Sequence, residues 1–329
     1  MNSSVNTQNT LKFFSFLFVV TILAYFSGCS NNTTSPVQTD DQFITQVIQS
    51  GYSSDPNDPD NAMSVDTAAY NDGGAVPDSG SGPMSPIDSL VRWGRQVVSS
   101  DLNLNITNSG DIKTVNITRT INGNYIIVYQ HNGQFITVTK PYTEALYRTV
   151  QFKRVGTNRD PRFNWRLYSI SLLSGGTTQP QNGSITQMTQ IQVYVDNNST
   201  PSYTFTGPDF TQNAFITQKF GGPGIPRIDR DHSVRIVVTV NSTEQNNYVA
   251  WHWVRNALGF HRVPFTLTSS VPGGQGYINT FERTFTIFPN HKLGVHSGFI
   301  SASTHESLYD DDPNLFASSE VGFLYWVTR

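Results

Sequence analysis

Cysteine is almost missing from this 329-residue chain: it holds one, Cys29, so no disulfide can close within the molecule. Positive charge is missing from a whole segment. No Lys or Arg stands between Lys12 and Arg92, whereas residues 30–91 carry nine aspartates. Charged residues make up only 14% of the chain, too few for a charge-laced coiled coil, and 25 glycines without a strict three-residue period exclude collagen. Only one apolar run, Phe13–Phe26, is long enough to engage a membrane, which excludes a multi-span membrane protein. A basic stripe is also lacking. From Arg92 onward 20 Lys and Arg face 15 Asp and Glu, spread without a cluster, so no nucleic-acid partner is expected. The chain has no GxSxG elbow, no HExxH and no CxxC. Gly221-Gly222-Pro223-Gly224 lacks the lysine and helix of a phosphate loop, so an enzyme is not expected.

What is present begins with an export signal. Residues 1–12 are polar with one positive charge, and the 14-residue apolar run that follows is short for a membrane span but suits the core of a signal peptide. Phe26-Ser27-Gly28-Cys29 resembles the lipobox of bacterial lipoproteins. The resemblance implies cleavage before Cys29, covalent lipid on that cysteine, and a mature chain tethered to a membrane without spanning it. In that family Ser30, rather than Asp, after the cysteine implies sorting to the outer membrane, with exposure at the cell surface open.

Residues 29–84 are dominated by Asp, Ser, Asn, Pro, Gly and Thr, a composition that buries too little apolar surface to offset chain ordering. They read as a flexible acidic spacer reaching roughly 40 Å. Phe43, Ile44, Val47 and Ile48 are the exception: they fall at helical spacing after Asp40 and Asp41, which predicts a short amphipathic helix over 41–50. Asp55, Asp58 and Asp60 do not make a calcium loop, because Pro56 and Pro59 break the required spacing.

From residue 85 the dominant period is two. A brief helix start is read at Ser85-Pro86-Ile87-Asp88. After it come about six strands up to 173, with hairpin turns expected at Asn122-Gly123 and Asn132-Gly133. Residues 174–184 (SGGTTQPQNGS) have a loop composition, and strands recur beyond them. The expectation is an all-β protein: two antiparallel β-sandwich modules in tandem, over 85–175 and 185–329, behind the signal (1–28) and spacer (29–84). In architecture alone this resembles immunoglobulin-like or fibronectin-like surface proteins. A single large sandwich is the rival arrangement.

Two candidate sites stand out. On a strand Trp251 and Trp253 share one face, and with Asp229 and Asp231 of the loop Gly221–His232 they could bind a glycan or a protein partner. The alternative is that both tryptophans fill the sandwich core. Asp310, Asp311 and Asp312 are consecutive loop carboxylates that could hold calcium, or form a solvated acidic turn. No cofactor is expected other than the lipid on Cys29. The function expected is a non-catalytic binding, adhesion or structural role in the bacterial envelope, with a surface carbohydrate-binding module or glycan-active enzyme as the alternative.

Overall fold

The computed structural model describes residues 38–50, 89–180, 182–254, 260–274 and 276–329. Cys29, the spacer over 51–84 and the helix start at 85–88 lie outside the described residues. Thr39–Arg329 form one compact unit, and the protein is all-β with two antiparallel sheets.

Alternation drives the smaller sheet. In β10 (Ser233–Ser242) every second residue from Val234 to Val240 is buried, and these valines and Ile236 form its inner face. β10 lies between β14 (Gly276–Thr286) and β6 (Thr186–Val195), with β13 (Thr266–Gly273) and β7 (Tyr203–Thr206) at the edges.

Among the described residues the larger sheet has eleven strands. Its path runs β1 (Ser89–Ser109), β2 (Ile112–His131), β3 (Gln134–Arg154), β5 (Leu173–Gln179), β16 (Ser318–Thr328), β15 (Gly294–Ser303), β11 (Tyr248–Val254) and β12 (Phe260–Pro264). β4 (Trp165–Ser171) pairs with β3 and with β8 (Ala214–Ile216), and the short β9 (Arg227–Asp229) runs parallel to β16. The segments 85–175 and 185–329, expected as separate modules, therefore share this sheet. The join is β5, which takes most of the expected loop 174–184 and pairs with β3 on one side and β16 on the other.

One face of β11, β15 and β16 packs on the smaller sheet through Val249, Trp251, Ile300, Val321 and Phe323, against Ile191, Phe205, Val234, Ile236 and Phe281. That contact is a β-sandwich core. The opposite face meets β1–β3, which curl back over it: Trp93 of β1 stands 5.1 Å from Tyr248 of β11, and Arg262 of β12 lies 3.2 Å above the Trp93 ring.

Asn132-Gly133 turns as expected, with both residues at positive φ between β2 and β3. Asn122-Gly123 does not turn. It lies inside β2, where Gly123 is opposite Tyr142 of β3 and a Cβ there would stand 2.5 Å from the Tyr142 hydroxyl. The glycine here makes room for a ring. Gly123→Val should accordingly cost about 1–3 kcal/mol in urea unfolding by overpacking, despite valine's strand preference; an unchanged midpoint would show that Tyr142 has space to move.

The predicted helix is present as α1 (Asp40–Ser50), one residue longer than expected. It is docked. Phe43, Ile44, Val47 and Ile48 pack with Val115, Ile117, Val150, Phe152 and Trp165, at the end of β2 and β3 away from their shared turn. Asp41 pairs with Lys113 and Asp40 with Arg154, the latter at 2.9 Å. A free spacer from 29 to 84 is thus corrected over 40–50, because its apolar helical face finds an apolar patch on the sheet.

Candidate functional site

Between the curled strands lies a buried ionic cluster. Arg95 of β1 donates to Glu144 of β3, reaches Glu320 of β16 at 3.1 Å and donates from Nε to the Tyr142 hydroxyl at 3.1 Å. The side chains of Arg95, Glu144 and Glu320 are 3%, 0% and 1% exposed. Ser318 donates to Glu144 at 3.0 Å. Burial pushes Glu320 well above the usual carboxyl range, against the pull of Arg95 and reinforced by Glu144. Burial likewise pushes Tyr142 up to about 12. His252 is buried and hydrogen-bonded to Ser301 at 2.8 Å. It is held well below the imidazole range by burial, then by Arg262 and Arg95. Neither carboxyl reaches solvent, so this pair ties β1, β3 and β16 together rather than meeting a substrate.

The tryptophan pair keeps its shared face, and that face points inward. Trp251 is 6% exposed among Phe285, Phe323 and Tyr325, and Trp253 is half-buried against the same core. Of the two readings of the pair, Trp251 fits the core-filling one and offers no open ring face to a sugar. Asp229 accepts a hydrogen bond from Thr328, and Asp231 sits in a turn at φ 64° with its backbone N–H bonded to the Ile287 carbonyl.

Asp310, Asp311 and Asp312 follow the short helix α2 (His305–Tyr309). Asp310 accepts from the Asp312 amide and Asp312 from the Asn314 amide, both at 2.8 Å, so two of the three carboxylates close local turns. Among the described residues no group of three His, Cys, Asp or Glu could hold a metal ion, and the two turn contacts fit the solvated acidic turn that is the other reading of this segment. Beneath this loop the Lys140 ammonium donates to the carbonyls of Glu306 and Leu315 at 2.8 and 2.9 Å.

Burial brings the Lys140 pKa down to about 8, against attraction from Asp310, Glu306, Asp312 and Asp311. The unfolded chain binds that proton more tightly, so folding stability should rise with pH between about 8 and 10.5, by at most about 1.4 kcal/mol per unit. Urea unfolding at pH 8, 9 and 10 checks this. Lys140→Met should flatten the slope, and a slope unchanged in the variant would assign it to another group.

The open site is elsewhere. A pocket of about 230 Å³ lies between β4, β8 and the loop 217–226, with Leu167, Ile170, Phe215, Ile225 and Trp326 as apolar walls. The loop folds back on β8, the Gly224 amide bonding the Ile216 carbonyl at 3.0 Å, with Gly221 and Gly224 at positive φ. Lys219 and Arg227 stand at the rim. Arg227 stacks 4.8 Å above Trp326 and donates to Gln218 at 2.6 Å, which fixes its guanidinium.

No protein-family model and no curated protein matches this chain.

The pocket's chemistry therefore has to be read from its own residues. Of the loop Gly221–His232 singled out in sequence, Gly224, Ile225 and Arg227 do reach a pocket, but their aromatic partner is Trp326, not Trp251 or Trp253. The alternation in β16 marks Trp326 only as a strand residue. Its pairing with Arg227, a hundred positions away, is what builds the site.

Proposed function

We propose that this chain is a lipid-anchored protein of the bacterial cell envelope, held at the outer membrane by acyl groups on Cys29 and carrying an all-β body with a non-catalytic binding role. The observation that carries this reading is the sequence Phe26-Ser27-Gly28-Cys29 directly after a 14-residue apolar run. No helix among the described residues is long and apolar enough to cross a membrane. The docked α1 adds a distance. Ten residues lie between Cys29 and Asp40, a span of eleven steps and at most about 40 Å of chain, so the end of the body that holds α1 stays near the bilayer.

Radiolabelled palmitate and mass spectrometry of the mature amino terminus test the anchor. The expected product begins at an acylated Cys29 and sediments with outer membranes, and Cys29→Ser moves the protein out of that fraction. An unacylated amino terminus at another residue overturns the reading.

A further inference from the structure

We infer that the pocket beneath Trp326 binds an anionic amphiphile, with a single aliphatic chain against Leu167, Ile170, Phe215 and Ile225 and a carboxylate or phosphate at Lys219 and Arg227. This goes beyond the lipid anchor and does not rest on it.

Size sets the length of the chain. A cavity of about 150 Å³ takes the six carbons of benzene, so 230 Å³ has room for about nine carbons. The walls set its polarity. Sugars need several converging polar groups, whereas this interior is aliphatic and aromatic, and its polar residues, Thr217, Gln218, Lys219 and Arg227, belong to the loop and strand that edge it. Charge sets the head group. Among the described residues both charged side chains lining the pocket are cations and none is acidic. Neither Lys219 nor Arg227 forms an ion pair among the described residues. Arg227 is in addition already held by Trp326 and Gln218, so little ordering is required when an anion arrives.

The test uses the processed chain from residue 29 carrying Cys29→Ser, which has no acyl group of its own to compete. Calorimetric titration with decanoate should give a dissociation constant in the micromolar range, and decanol should bind at least tenfold more weakly. Lys219→Glu with Arg227→Glu should abolish that preference while leaving decanol binding in place. Ile225→Trp, which fills the pocket, should remove binding of both, with circular dichroism confirming the fold. A ten-carbon lysophosphatidylglycerol separates two sources of the same chemistry: tighter binding than decanoate assigns the site to a membrane lipid, weaker binding to a free fatty carboxylate. Equal affinity for decanoate and decanol, no binding of either anion at millimolar concentration, or binding that survives Ile225→Trp would overturn the inference. Because the probe protein is unacylated, none of these results bears on whether Cys29 is lipidated.

Discussion

Arg95→Met is expected to remove about 3–5 kcal/mol of stability, because it leaves two buried carboxyl groups without their cation. Glu144 and Glu320 are 0% and 1% exposed, so water cannot take the place of the guanidinium. Arg95→Lys should recover little: one ammonium cannot span Glu144, Glu320 and the Tyr142 hydroxyl as the planar fork does. Replacing Arg95, Glu144 and Glu320 together by Met should cost less than the single change, since no charge then stays buried.

The pH dependence has a definite sign. Glu320 holds its proton more tightly folded than unfolded, so its contribution is full below the ordinary carboxyl pKa and declines as pH rises toward the raised folded value. Arg95 opposes that decline by favouring the ionised form. Removing it should make the loss larger at pH 8 than at pH 5. Urea midpoints at the two pH values decide this, and an equal loss at both would mean that the carboxyls are solvated after all.

Such a cluster is hard to see in sequence because strand alternation marks faces, not which side of a face is wet. Val234 to Val240 and the run from Tyr248 to Trp253 could be placed on strands from their period of two, and Asn132-Gly133 on a turn from its tolerance of positive φ. Arg95 falls on the strand face of Trp93 and Val97, and Glu144 on that of Tyr142 and Leu146, but their charge, like that of Glu320, reads as exposed by residue type. They are buried because β1–β3 curl over the back of β11, β15 and β16, which is a long-range event. The segment SGGTTQ illustrates the opposite error. It has almost no apolar side chains, yet Gly175 and Gly176 let β5 run close between β3 and β16: a Cβ on Gly175 would collide with the Ala145 carbonyl, and one on Gly176 with the Ser318 carbonyl. Small residues that permit close packing have the composition of a loop. For the pocket, each wall was readable as strand or loop, but the meeting of Trp326 with Arg227 depends on the parallel pairing of β9 with β16.

Helix α1 gives the second large effect. An isolated helix of eleven residues is marginal in water, so α1 owes its existence to docking. Ile44 is fully buried and Val47 is 2% exposed. Ile44→Asp should therefore release the helix, at a cost capped by the free energy of docking, on the order of a few kcal/mol from the lost burial of Phe43, Ile44, Val47 and Ile48. The size of the next step is the sharper test. Once α1 is free its remaining side chains are already in solvent, so adding Val47→Asp should cost almost nothing further, a large departure from additivity that marks one cooperative unit. Release should also uncover Trp165, 1% exposed and flanked by Lys113 and Arg154 at 5.3 and 4.9 Å from its ring, shifting tryptophan emission to the red. The Lys113 ammonium, 7% exposed in the docked state and paired with Asp41, should then become accessible to an amine-acylating reagent, read by mass spectrometry. Additive losses in the double variant, or emission and Lys113 labelling unchanged in the single one, would refute docking as a unit. Under the proposed anchor at Cys29, release would lengthen the link to the body from the ten residues before Asp40 to the 59 before Ser89. On that proposal the docked helix sets how far the body can stand from the membrane.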